Sequence, residues 1–279
     1  MPNQSLYAQF SPLYQKAAYD HRDGLSFAIA SQLAYQGPRR VKEVLDAWGY
    51  RDQTFIDVRK GRDINTQGYV AGDGHHVLVA FRGSESIVED WLTNIQFVTD
   101  PGPLRSTKVH EGFQDALYPA IMELTQKLGD YSGGHVPNIW VTGHSLGGAL
   151  ASLFAAMLLE RSLPLAGLYT YGAPRVGDRK FEAALNRAMA QASIGNWRVV
   201  NEGDMVPHLP PEPWFSHAGE RILLRADGTE SRSSGVWRAF KREMADWFGS
   251  FRRVFKVGNV HRLTSKLGYV SQLKKQLGH

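Results

Sequence analysis

Val141-Thr142-Gly143-His144-Ser145-Leu146-Gly147-Gly148 is the stretch from which the rest of the chain is read. An apolar run, Asn138-Ile139-Trp140-Val141, stops abruptly at a glycine. After Ser145 two glycines lead into Ala149-Leu150-Ala151-Ser152-Leu153-Phe154-Ala155-Ala156-Met157-Leu158-Leu159, which has the composition of a buried helix. Strand, G-x-S-x-G and helix together give the short pattern its meaning. The chain must reverse within about one residue, so Ser145 is expected at a strained backbone angle with its hydroxyl projecting outward and exposed. Gly143 and Gly147 carry no Cβ, which lets the two arms of the turn approach closely. The Leu146 N–H then lies at a helix N-terminus, where it can stabilise a developing oxyanion. Ser145 is the candidate nucleophile. The competing reading, a glycine-rich turn with an incidental serine, is disfavoured by the flanking elements.

The bulk numbers suit such a chain. At 279 residues and 31.2 kDa it can form one large α/β domain or two small ones, and 43% hydrophobic residues supply a substantial core. No apolar run reaches the roughly 18 residues of a membrane span. Residues 1–24 lack the basic start and apolar core of a secretory signal. There is no cysteine, so neither disulfides nor thiol chemistry enter. Together these suggest a reducing compartment, cytoplasmic by default, with secretion as the alternative if a signal has been removed. The net charge of +5 is unevenly distributed. From Val236 to His279 there are ten Lys/Arg against Glu243 and Asp246, a net of +8, which leaves −3 on the preceding residues.

In order, Leu25 to Gln36 reads as an apolar helix ended by Gly37-Pro38, and a second helix runs through Val41, Val44, Leu45 and Trp48. Strands are expected at Thr54–Val58, Gly68–Ala71 and Val77–Phe81. The last ends in Phe81-Arg82-Gly83-Ser84-Glu85-Ser86, and a small hydroxyl residue directly after a glycine at a strand end can offer both N–H and side chain to an oxyanion. Ile87, Val88, Trp91, Leu92 and Ile95 then share one helical face against Glu89, Asp90 and Asn94. Alone this is an amphipathic surface helix; beside the serine turn it becomes an oxyanion loop followed by a mobile lid in contact with substrate. A helix opening at Val109-His110-Glu111-Gly112-Phe113 reaches about Leu128 with Gly129 as its cap, and His110 reads as a packed or capping residue. Beyond the Ser145 helix come a strand at Leu168–Tyr171, a helix from Arg179 to about Ala192 and a strand at Trp197–Val200. Alternating strands and helices argue for a largely parallel sheet in a three-layer α/β domain. The stretch Val236–Lys256 places Trp237, Phe240, Met244, Trp247, Phe248, Phe251 and Phe255 on one helical face and six bases on the other. Such a helix can lie on an anionic membrane surface, giving peripheral membrane contact, or pack on its own domain with a solvated basic face. No nucleic-acid-binding motif accompanies it.

A serine hydroxyl needs a base, and the base an acid to orient it. In chains with this elbow the acid and then the histidine follow the serine on loops after later strands. Asp204 lies just past a strand, with Glu202 and Asp178 as neighbouring competitors. Among later histidines, His208 is too close to Asp204 on the same loop to bridge, and His279 is a chain end. His261, after Gly258-Asn259 and before a final helix, suits a base, and His217 stays open on order alone.

From about Leu25 to the C-terminal helix, the chain resembles the class 3 lipases, typified by filamentous-fungal triacylglycerol lipases. The resemblance is carried by Phe81-Arg82-Gly83-Ser84, Asp90-Trp91, Val109-His110-Glu111-Gly112-Phe113, Gly143-His144-Ser145-Leu146-Gly147-Gly148, Tyr171-Gly172-Ala173-Pro174-Arg175-Val176-Gly177 and Asn201 to Pro210. It implies an α/β-hydrolase fold with a mostly parallel central sheet, flanking helices and a helical lid. One domain would cover 1–279, with a basic aromatic insertion at about 236–256. It implies Ser145, Asp204 and His261 as nucleophile, acid and base, Ser84 and Leu146 as oxyanion residues, and roughly Ser86–Ile95 as the lid. No metal or cofactor and no nucleic-acid partner are implied, and the oligomeric state is not indicated. The substrate would be a lipid or ester at an oil–water or membrane interface. The chain departs from the family pattern in placing Val260, not an acid, before His261, and in having its next tyrosine as far on as Tyr269. The expected activity is acyl-glycerol ester hydrolysis through an acyl-enzyme. The alternatives are a phospholipase A1, a short-chain esterase, or a lipid-binding protein that keeps the fold without turnover.

Overall fold

The computed structural model describes residues 4–60, 64–83, 98–131, 137–233 and 257–278. The expected residues Ser84, Ile87, Val88, Trp91, Leu92 and Ile95, the aromatic basic stretch 236–256 and His279 lie outside the described residues. In chain order the elements are α1 (Gln4–Tyr7), α2 (His21–Leu33), α3 (Pro38–Ala47), β1 (Asp52–Lys60), β2 (Ile64–Gly72), β3 (His76–Phe81), β4 (Thr99–Pro101) and β5 (Lys108–His110). Then follow α4 (Glu111–Asp130), β6 (Asn138–His144), α5 (Leu146–Glu160), β7 (Leu165–Tyr171), α6 (Arg179–Gln191) and β8 (Gly195–Asn201). A 3₁₀ turn at Val206–His208 precedes β9 (Glu220–Leu224), β10 (Glu230–Ser233), α7 (Val257–His261) and α8 (Tyr269–Gln276).

The main sheet has eight strands in the order β1-β2-β3-β6-β7-β8-β9-β10. Its centre, β3-β6-β7-β8-β9, is parallel, and each edge is closed by antiparallel pairing, β1-β2-β3 on one side and β9-β10 on the other. Period-two alternation sorts the strand side chains between two cores. Val77, Val79, Phe81, Ile139, Val141 and Leu168 pack with α4, α5 and α6. Leu78, Ala80, Trp140, Tyr169, Tyr171 and Val199 face the other way, against α2, α3 and α8. The result is the expected three-layer arrangement.

Local chemistry explains where elements start and stop. Asp20 caps α2 by accepting from Arg22 and Asp23 N–H, so this helix begins ahead of the expected Leu25. His110 caps α4 through a hydrogen bond from Gly112 N–H (3.1 Å), the capping role expected of it. Gly129 does not end that helix; it runs on to Asp130 and is capped at Tyr131. Strands β9 and β10 were not signalled by the sequence. Glu220–Leu224 is short with two of its five residues charged, and its pairing beside β8 rather than its own pattern makes it a strand.

Register sets up the site. Phe81 pairs with Gly143, His144 with Tyr171, Tyr171 with Val199, and Asn201 with Leu224. The carboxyl ends of β3, β6, β7 and β8 therefore finish side by side, and the loops that leave them carry Gly83, Ser145, Gly172 and Asp204. Open α/β sheets bind ligands at this edge.

Candidate active site

Ser145 is the single residue between β6 and α5, with φ 57° and ψ −130°. Such angles cost a non-glycine residue of the order of 1–3 kcal/mol. The turn is held by Ser145 N–H on the Tyr171 carbonyl (2.9 Å) and by Gly148 N–H on the Ser145 carbonyl (2.9 Å). A side chain at Gly143 would run into the Gly147 carbonyl, and one at Gly147 into the Phe81 carbonyl, which is the close approach expected of these glycines. The strained angle matches the sequence reading, but the exposure does not: Ser145 is only 3% exposed. Neighbouring strand-end loops enclose it, for a Cβ placed on Gly83 would lie 3.1 Å from Ser145 Cβ. Leu146 opens the fifteen-residue helix α5, so its N–H has no intrahelical acceptor and sits at the positive end of the helix dipole.

Three residues beyond the end of β8, Asp204 is fully buried. Its Oδ2 accepts from His261 Nδ1 (2.8 Å) and from the Tyr269 hydroxyl (2.5 Å), and its Oδ1 accepts from Val206 N–H (3.0 Å). Burial pushes the carboxyl up, but the charge of His261 and the hydrogen bonds from His261, Tyr269 and Val206 outweigh it and hold Asp204 below its ordinary value. Burial, with the Asp204 charge beside it, lifts the Tyr269 phenol well above its ordinary value, so it stays a hydrogen-bond donor. Because Asp204 accepts the hydrogen bond from His261 Nδ1–H, Nε2 is the basic nitrogen. It is buried and makes no hydrogen bond among the described residues.

The competing acids and histidines are used elsewhere. Asp178 caps α6, accepting from Phe181 N–H (2.8 Å). Glu202 is exposed and accepts from Ala226 N–H (3.3 Å). His217 is bonded through Nε2 to the Pro207 carbonyl (2.6 Å), and burial, with the nearby Arg198 and Arg175 charges, keeps it neutral well below its ordinary value. It braces the loop that carries Asp204. Arg175 braces the same loop from the other side through the His208 and Pro210 carbonyls and the Glu212 carboxylate.

Sequence reasoning did not anticipate how His261 is supported. Tyr269 does reach Asp204, since α8 starts with it and folds back over the end of β8, where the Tyr269 hydroxyl also accepts from Asn201 N–H (3.2 Å). Asn201 Nδ2 bonds the Val260 carbonyl (2.8 Å) and the Leu267 carbonyl (3.1 Å), tying the loop after His261 to β8. His144 and Tyr35 complete the surroundings: His144 Nε2 lies 2.6 Å from the His261 carbonyl and Nδ1 2.7 Å from the Tyr35 hydroxyl. No group of three or more residues capable of holding a metal ion occurs among the described residues. Nor is any described helix long and apolar enough to cross a membrane.

Known proteins resemble this chain in sequence and fold. The family model for lipase (class 3) matches residues 78–214. The lipase of Rhizomucor miehei is 39% identical over 176 residues, covering 60% of this chain and 47% of that protein. The secreted mono- and diacylglycerol lipase A of Penicillium camembertii is 31% identical over 201 residues, covering 65% and 59%. The chain thus spans about half the length of the curated relatives it matches. A solved triacylglycerol lipase, described as having a serine protease triad at its catalytic centre, superposes with TM-score 0.60 at 32% identity over 78% of this chain and 85% of that one. With its motifs in order on an α/β-hydrolase fold, this chain belongs to the class 3 lipase family.

Proposed function

We propose that the protein is a serine carboxylester hydrolase acting on acyl glycerols. The observation that carries the reading is the strained Ser145 elbow beside a buried Asp204–His261 pair whose Nε2 is left open. Binding a lipid requires neither the strain nor the pair. His261 Nε2 takes the proton of Ser145 Oγ as that oxygen bonds to the ester carbonyl carbon. The carbonyl oxygen becomes an oxyanion, stabilised by Leu146 N–H and by Ser84, which follows the Gly83 packed against Ser145. As the tetrahedral intermediate collapses, the alkoxide leaves with the proton from Nε2. Water then attacks the acyl-enzyme by the same path, returning Ser145 Oγ–H and a carboxylic acid. Asp204 keeps Nδ1 protonated throughout and stabilises the transient imidazolium.

Hydrolysis of nitrophenyl esters of graded chain length by the wild type and by Ser145→Ala tests this reading. Activity rising toward long chains and lost in the variant is the expected result. Activity confined to short chains would turn the assignment to an esterase. An inert wild type, or a variant at full rate, would overturn the catalytic reading in favour of lipid binding.

A further inference from the structure

His144 precedes the nucleophile, and no step of the proposed reaction uses its side chain. It is nonetheless buried with both ring nitrogens engaged. A carbonyl can only accept, so the proton sits on Nε2 and is given to the His261 carbonyl. Nδ1 is then the acceptor of a hydrogen bond from the Tyr35 hydroxyl. The receiving carbonyl matters because His261 closes the short helix α7, and a helix leaves its last carbonyls without intrahelical partners. Two side chains meet that need at adjacent residues: Asn201 at Val260, and His144 at His261.

We propose that His144 is a positioning residue that fixes the separation between nucleophile and base, with Tyr35 locking its tautomer. The inference rests on the roles given above to Ser145 and His261. His144 is bonded covalently to Ser145 and by one hydrogen bond of 2.6 Å to the main chain of His261. Asp204 sets the tilt of the His261 ring from one end, and His144 sets where its backbone stands from the other. The two imidazoles lie 4.6 Å apart between centroids, tilted by 36°. Burial, together with the His261 charge, lowers the His144 pKa to about 3, so it offers a single neutral donor form when His261 is charged. Tyr35 is also anchored beside the oxyanion loop. A Cβ on Gly83 would collide with the Tyr35 hydroxyl, and the Arg82 guanidinium lies over its ring at 5.6 Å. One chain of contacts thus runs from the end of β3, through Tyr35 and His144, to the base.

A space-filling core histidine and a positioning one make different demands. Kinetics of the wild type, Ser145→Ala, His144→Leu, His144→Gln and Tyr35→Phe on nitrophenyl butyrate separate them, with rates expressed per folded molecule from circular dichroism. For His144→Leu, which leaves the His261 carbonyl without its donor, a 10- to 100-fold fall in kcat at a KM within about twofold is expected, since an ångström of misplacement can cost about 10². His144→Gln, whose amide can donate to the same carbonyl, should recover about tenfold of that loss. Equal kcat for Gln and Leu, or losses confined to KM, would overturn the proposal. Should His144→Leu not fold, Tyr35→Phe decides: a three- to tenfold lower kcat at unchanged KM supports the strut, and an unchanged kcat overturns it. A wild type without activity, or Ser145→Ala at full rate, overturns the functional reading itself and this inference with it.

Discussion

Gly172→Ala puts a wedge into the proposed triad without substituting any of its residues. Gly172 leaves β7 at φ +56°, and a Cβ there would lie 2.8 Å from Asp204 Oδ2, 2.8 Å from the Tyr269 hydroxyl and 3.1 Å from His261 Cε1. Two costs follow. Left-handed angles cost an L-residue about 1–2 kcal/mol, partly offset by the smaller entropy of the unfolded alanine chain. Overpacking adds about 1–3 kcal/mol. The clash is not relieved by moving the backbone, because Gly172 N–H is bonded to the Val199 carbonyl (3.1 Å) and the preceding Tyr171 carbonyl holds Ser145 N–H (2.9 Å). Asp204, Tyr269 and His261 must instead retreat, by about half an ångström if ordinary contact between heavy atoms of roughly 3.5 Å is to be restored. With about 10² lost per ångström, kcat on a soluble nitrophenyl ester should fall about tenfold with little change in KM. Gly228→Ala is the control. Gly228 sits at φ +86° with nothing within 4 Å of its added Cβ, in the turn between β9 and β10, so strain alone applies. Both variants should lose a few degrees in Tm, at about 2–4 °C per kcal/mol for a chain of this size. Only Gly172→Ala should lose rate. If its kcat stays within twofold of wild type while its Tm falls, the geometry argued for the triad is wrong.

Ser145→Gly and Ser145→Ala should be equally inactive, but the glycine variant should be the more stable by about 1–2 kcal/mol in urea unfolding, because the elbow angle is strained for any residue with a Cβ. Acid should destabilise the fold through its buried histidines. His144 stays neutral down to about pH 3 when folded but binds a proton near 6.5 when unfolded, so stability is lost as pH falls below 6.5, by about 2 kcal/mol at pH 5 from this residue alone. His217 acts in the same direction, whereas the stability that Asp204 contributes is lost only as pH falls below its unfolded value of 3.8. Denaturant midpoints that do not change between pH 7 and 5 would refute this. The spacing of Ile87, Val88, Trp91, Leu92 and Ile95 predicts that Trp91→Ala reduces hydrolysis of emulsified ester more than of soluble ester, and equal losses would remove the lid assignment.

The elbow was legible because its chemistry is local. Strand, turn glycines and helix occupy consecutive residues, and a reversal within one residue leaves a single possible geometry for Ser145. The alternation of the central strands was legible for a similar reason, whereas sequence order alone left Glu202 and Asp178 beside Asp204 as candidate acids. His261 was harder, since sequence order left His217 open and the pairing with Asp204 spans 57 positions. What decided between them is tertiary. The loop after Asp204 needs His217 as a donor to the Pro207 carbonyl, which removes it from contention. Distance along the chain misled most at Tyr269, which looked too far from His261 to serve the site. That spacing is irrelevant once α8 folds back, because the chain between them loops out and Asn201 ties it down at the Val260 and Leu267 carbonyls. His144 shows the opposite failure. It stands in the most informative motif of the chain, yet its partners, Tyr35 and the carbonyl of His261, come from opposite ends of the sequence. A motif fixes the conformation of its own residues, whereas the orientation of a base set by remote main-chain carbonyls appears only when the strand ends are brought together. In this fold the residues that shape the elbow of the proposed nucleophile are therefore local, and those that hold its proposed base are not.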